Sequence, residues 1–118
     1  MAEEQSHLTI TESAGVKIVE FADRQILDEI AITEIGNELY SLVDGTPGVK
    51  ILACFRNVEH LSSAAIGVLI TLKKKVAEQK GALKLSDITP QIYEVFRITR
   101  LNKHFEIYDT AGQALASF

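Results

Sequence analysis

Val49 to Phe55 constrain this chain more than any other residues: VKILACF is almost continuously apolar, broken only by Lys50. A strand on a one-sided sheet would alternate. An unbroken run of this length suits a central strand covered on both faces, as in parallel sheets flanked by helices. Asn57-Val58-Glu59-His60-Leu61 then reads as a short loop. Ser62-Ser63 opens an amphipathic helix with Ala65, Val68, Leu69, Leu72 and Val76 on one face, ending near Lys80 with Gly81 as its C-cap.

The flanking segments fit that frame. Leu8 to Glu12 and Val16 to Phe21 alternate apolar and polar residues about a Ser13-Ala14-Gly15 turn, which predicts a hairpin. A short strand is expected near Gln25 to Leu27. Asp28 then caps a helix running to about Val43, with Ile32, Ile35, Leu39, Leu42 and Val43 at helical spacing. Asp44-Gly45-Thr46-Pro47-Gly48 stops it. Leu83 to Ser86 reads as a strand, and Thr89-Pro90 opens a third helix with Ile92, Val95, Phe96 and Thr99 on its apolar face. Phe105 to Tyr108 is the last strand, and Asp109 or Thr110 caps a final helix carrying Ala114, Leu115 and Phe118. Strands alternating with helices imply parallel pairing and right-handed crossovers. The expected fold class is therefore α/β: a mixed sheet, an N-terminal hairpin plus parallel strands, with about four packed helices, in one domain over 118 residues.

Composition narrows the function classes. A net charge of −4 argues against a general nucleic-acid binder. Lys73-Lys74-Lys75, the one run of like charge, lies on a predicted helix as a solvated face, or as a secondary contact for an acidic partner or lipid headgroup. No apolar stretch approaches the roughly 18 residues of a membrane span. MAEEQSHLTI has no basic segment followed by an apolar core, so no signal peptide and a cytoplasmic location are expected. The lone Cys54 sits in the apolar run and reads as inert packing. His7, His60 and His104 with one Cys show no metal-ligand spacing, and the glycines form no phosphate loop. A phosphocarrier His60, or a Ser-His pair there, would need an acidic constellation that the sequence lacks.

Ser62 and Ser63 hold the chemistry. As an N-cap a serine contributes about 1 kcal/mol and needs no further explanation. The same position collects outward N–H groups and the positive end of the helix dipole, so it also suits a phosphate.

The order of elements, with VKIL leading through NVEHL into Ser62-Ser63, resembles the STAS domain, whose stand-alone bacterial form is the anti-sigma factor antagonist. Gly81 to Ser86, Pro90 to Leu101, and Phe105 to Asp109 followed by Ala114-Leu115 match its later marks, so the resemblance runs from about Leu8 to Phe118. The family motif is Asp, Ser, Ser or Thr, Gly and a large apolar residue. Here Ser62 replaces the aspartate, Ala64 the second hydroxyl and Ala65 the glycine, followed by Ile66 and Gly67. Cys54 stands where many members carry an aspartate.

The resemblance implies a regulatory protein, not an enzyme, without cofactor or metal. It would bind an anti-sigma factor with an ATP-binding serine-kinase domain through Glu59, His60, Leu61, Ser62, Ser63, Ala64, Ala65 and Ile66. That kinase would phosphorylate Ser63, or failing that Ser62, and release it; a phosphatase would reset the switch. A monomer or weak dimer is expected. Two rivals remain: a STAS accessory docking subunit of a membrane lipid-transport complex, and a small nucleotide-binding regulator or phosphocarrier enzyme.

Overall fold

The computed structural model describes residues 7–118. The reading of residues 1–6 as free of a leader falls outside them. The hairpin forms as expected: β1 (Leu8–Ser13) pairs antiparallel with β2 (Val16–Phe21). Ala14 and Gly15 both take positive φ, 53° and 83°, the two-residue turn whose twist matches the strands. The small strand β3 (Gln25–Ile26) leads into α1 (Glu29–Val43). Then follow β4 (Lys50–Cys54), β5 (His60–Leu61), α2 (Ser63–Glu78), β6 (Ala82–Ser86) and α3 (Pro90–Ile98). A 3₁₀ turn (Leu101–Lys103), β7 (Glu106–Tyr108) and α4 (Ala111–Ala116) complete the chain.

The main sheet runs β1-β2-β4-β6-β7, and every pairing after the hairpin is parallel. The apolar run is thus the middle strand, with Ile51, Leu52, Ala53 and Cys54 all buried. The two faces are unequal. Ile51, Ala53, Val19, Phe21 and Leu85 join Leu39, Leu72, Ile92 and Phe96 in the main core beneath the first three helices. On the other face Leu52 and Val16 pack only against Ala114 of α4 and its neighbours. Phe21 and Phe55, 4.7 Å between ring centroids, fill the end of the main core nearest the loop after β4.

Three local features depart from the sequence expectation. His60-Leu61 is not loop: it pairs in parallel with β3, making a separate two-stranded sheet. Two residues are too few for periodicity to show. Thr99 is the exposed C-cap of α3 rather than part of its apolar face. The left-handed residue closing α2 is Lys80 (φ 58°), not Gly81. Lys80 N–H donates to Ala77 O at 2.9 Å and Gly81 N–H to Val76 O at 2.9 Å, the two bonds of a Schellman end. Gly81 serves another purpose: a Cβ there would lie 2.1 Å from Val49 O.

α4 is held by a buried cation. Lys84 Nζ donates to Ser117 O (2.8 Å) and Ser117 Oγ (2.7 Å), lies 3.5 Å from Glu106 Oε1, and sits over the Phe118 ring at 4.7 Å. A cation at a helix C-terminus meets the dipole favourably. Lys84→Met keeps the bulk but leaves those oxygens without their donor. The expected loss is about 1–3 kcal/mol, seen first as faster amide exchange across 111–118 while the main core stays protected.

His7 ties the start of β1 to two other segments. Its Nδ1 is 2.7 Å from Asp23 Oδ2 and its Nε2 2.9 Å from Glu34 Oε1. Burial pulls the imidazole pKa down, but the bonds to Glu34 and Asp23 and their charges outweigh it and raise His7 above its ordinary value. A raised folded pKa gives stabilisation that is complete below the unfolded value of about 6.5 and fades as pH rises through the folded one. His7→Gln is therefore expected to destabilise most near about pH 6, the gap closing in alkali; urea titrations across pH check it, and a pH-independent gap would contradict it.

Candidate functional site

The loop after β4 and the start of α2 lie at the C-terminal edge of the parallel strands. Ser62 is the N-cap (φ −82°, ψ 167°), and its Oγ accepts from Ala65 N–H at 3.2 Å. Its hydroxyl is therefore engaged in starting the helix. Ser63 is the first helical residue and is exposed, as is Ala64. Ala65 and Ile66 turn inward and are buried, so they anchor the helix and offer a partner little surface. Of the eight residues expected to touch a partner, the structure exposes His60, Ser63 and Ala64, with Glu59, Leu61 and Ser62 half-buried.

The small sheet holds this end in place. Ser62 N–H donates to Ile26 O (3.1 Å), and Glu59 and His60 N–H both donate to Arg24 O (2.7 and 3.2 Å). Arg24 Nη2 meets Glu59 Oε2 at 2.9 Å on the surface. Thr89 Oγ1, the cap of α3, donates to Val58 O at 3.1 Å. Because β3 and β5 run parallel and each feeds a helix, α1 and α2 start side by side. They pack closely where Gly36 faces Val68, a Cβ on Gly36 standing 3.4 Å from Val68 Cγ2.

That juxtaposition adds residues that sequence reading missed. Leu27 is 49% exposed and Ile30 70% exposed, both at the start of α1. Asp28 caps that helix, its Oδ2 accepting from Ala31 N–H at 2.9 Å, so a carboxylate stands at the neighbouring helix start although Ser62 replaces the family's own. One signal was available: Ile30 falls two residues before Ile32, off the stripe of Ile32, Ile35 and Leu39. The chain's proximity to Ser63 comes from the two-residue strands and left no such signal.

Cys54 closes β4 in a small polar cluster. Its thiol donates toward Asp87 Oδ2 at 3.4 Å, Ser86 Oγ donates to the same oxygen at 2.8 Å, and Arg56 Nη2 is 3.5 Å from the sulfur. Burial, with Asp87 beside it, pushes the thiol pKa up against the pull of Arg56. The thiol is thus held neutral, the wrong state for a nucleophile. The void behind the site, lined by Phe21, Ile26, Phe55, Leu61 and Leu69 among others, measures about 10 Å³. That is about one water's worth of space, so the site is a surface and not a ligand chamber. Among the described residues no group of three or more His, Cys, Asp or Glu could hold a metal ion. No helix among them is long and apolar enough to cross a membrane.

Comparison with known proteins agrees with this geometry. The STAS domain family model matches residues 7–114. The anti-sigma-B factor antagonist of Bacillus subtilis (strain 168) is 30% identical over 60 residues, 51% of this chain and 55% of that protein. The chain thus spans about half the length of the curated relatives it matches. An anti-sigma-factor antagonist (STAS) domain protein of Planctomyces limnophilus superposes with a TM-score of 0.85 at 24% identity, covering 93% of this chain and 96% of that one. The Bacillus cell fate determinant SpoIIAA in its phosphorylated form superposes at 0.70 with 14% identity, covering 93% and 97%; both show a shared fold. With a mixed sheet led by a hairpin, four helices, and a family match over nearly all the described residues, the chain belongs to the STAS domain family.

Proposed function

We propose that this protein is an anti-sigma factor antagonist switched by phosphorylation of Ser63. In its unmodified form it docks on an anti-sigma factor that carries an ATP-binding serine-kinase domain, and so frees the sigma factor. The kinase then phosphorylates Ser63 and ends the contact; a phosphatase resets it. The protein is a substrate in this cycle and catalyses nothing itself.

One observation carries the choice of residue. Ser62 Oγ is occupied as the helix cap, whereas Ser63 is exposed on the first turn of α2, and Leu27 and Ile30 are exposed at the start of the neighbouring α1. Exposed apolar side chains next to a modifiable hydroxyl make a surface that binds when neutral and is spoiled by charge. A phosphate adds about −1.5 to −2 charges, which an exposed helix start tolerates and a desolvated interface does not. The family membership and the phosphorylated relative of the same fold support the reading.

Affinity purification of the tagged full chain from its native cells tests the partner. An anti-sigma factor with a serine-kinase domain is the expected companion. A membrane lipid-transport subunit in its place would make this a constitutive docking domain whose serines only start a helix.

A further inference from the structure

The charges of this acidic chain are unevenly placed. Residues 1–60 hold eleven acidic and four basic side chains, and residues 61–118 hold five and eight. Two of those eight, Lys73 and Lys74, line one groove of about 400 Å³ between α2 and the 3₁₀ turn. Ile70, Leu101 and Phe105 form its apolar floor, and Lys73, Lys74 and His104 line its sides. Ile70, Lys73, Lys74 and Ala77 follow one another at i, i+3, i+4 and i+7, so one helical face supplies one wall. Neither lysine has an ion-pair partner among the described residues; Lys75, on the next face, is the one near Asp44. Glu106 lines the adjoining hollow and is drawn to Lys84 and the Tyr108 hydroxyl, and Glu78 lies one turn beyond Lys74 on α2 without lining the groove.

We infer that this groove is a second docking surface, which takes an acidic amphipathic helix of a protein partner. An apolar floor between unpaired cations recognises a segment with an apolar stripe flanked by carboxylates. The concave shape favours an inserted row of side chains over a flat bilayer. The groove is also electrically separate from Ser63. Lys73 lies ten residues along the same helix, about 15 Å away, beyond a Debye length of about 8–10 Å. A partner held there stays held when the switch at Ser63 is thrown.

The test uses the full chain and a fluorescein-labelled helical peptide with leucines at i, i+3, i+4 and i+7 and glutamates elsewhere. Anisotropy titrations compare wild type, Lys73→Glu/Lys74→Glu and Ser63→Asp; circular dichroism confirms that each is folded. Saturable binding that falls about tenfold or more in the double variant, falls likewise when the peptide's glutamates become lysines, and is unchanged in Ser63→Asp supports the proposal. Absence of saturable binding, or equal binding by the double variant, overturns it. So does a loss in Ser63→Asp as large as in the double variant, which would merge the two surfaces. Lysine-dependent binding to phosphatidylglycerol vesicles without peptide binding would reassign the groove to a membrane.

Discussion

Ser63→Asp is expected to weaken binding to the anti-sigma factor by about 100-fold, a loss of close to 3 kcal/mol, while leaving the fold intact. The two effects separate because one group meets two environments. In the free protein, Asp at the first helical position lies at the positive end of the dipole and costs nothing, or gains a few tenths of a kcal/mol. In the complex the same carboxylate is desolvated beneath the docked partner. Ser63→Ala keeps the surface neutral and should bind as wild type while refusing phosphate. Ser62→Ala should behave in the opposite way. It removes the cap bond to Ala65 N–H, costs about 1 kcal/mol of stability, and leaves the switch working. Isothermal titration for binding and urea unfolding for stability distinguish the pair. Loss of binding in Ser62→Ala with none in Ser63→Asp would reverse the assignment.

The largest stability effect is expected far from that surface, at Gly81. An added methyl would stand 2.1 Å from Val49 O, and that carbonyl is not free to move. It accepts from Ala82 N–H at 2.9 Å at the start of the β4–β6 ladder, while Gly48 N–H next to it donates to Gln79 O at 2.7 Å. Relief requires parting β6 from β4 or the end of α2 from the 44–48 turn. Gly81→Ala is accordingly expected to cost about 3 kcal/mol, read as a lower urea midpoint with an unchanged slope. Its neighbour should respond the other way. Lys80 holds the left-handed position that closes α2, and Lys80→Gly removes that strain for a gain of about 1 kcal/mol. If Gly81→Ala were neutral and Lys80→Gly destabilising, Gly81 would after all be the helix-ending glycine that its place in the sequence suggests.

Much of the architecture was legible because period and punctuation agreed. VKILACF marked the central strand, Asp28 and Thr89-Pro90 marked two helix starts, and the Ala14-Gly15 turn fixed the hairpin. Gly81 illustrates the limit. Sequence places a glycine after a helix and suggests its backbone freedom, whereas its actual constraint is the Val49 carbonyl, just before β4 and more than thirty residues earlier. The site was half legible. Ser62-Ser63 before an apolar stripe announces a helix start, but which hydroxyl is used as the cap depends on one φ/ψ pair and one 3.2 Å bond. Leu27 and Ile30 reach the site only through the pairing of β3 with β5, a contact between segments thirty-five residues apart in register. Cys54 is buried, as its place in the apolar run implies, whereas the polar contact of its thiol with Asp87 left no signal in the sequence.

Site-resolved phosphopeptide mapping of the protein taken from its native cells, with the partner-bound and free pools analysed separately, tests the central claim most directly. Phosphate is expected on Ser63 in the free pool and not in the bound pool. Phosphate on Ser63 in the bound pool, or none in either pool under growth and stress, would contradict it.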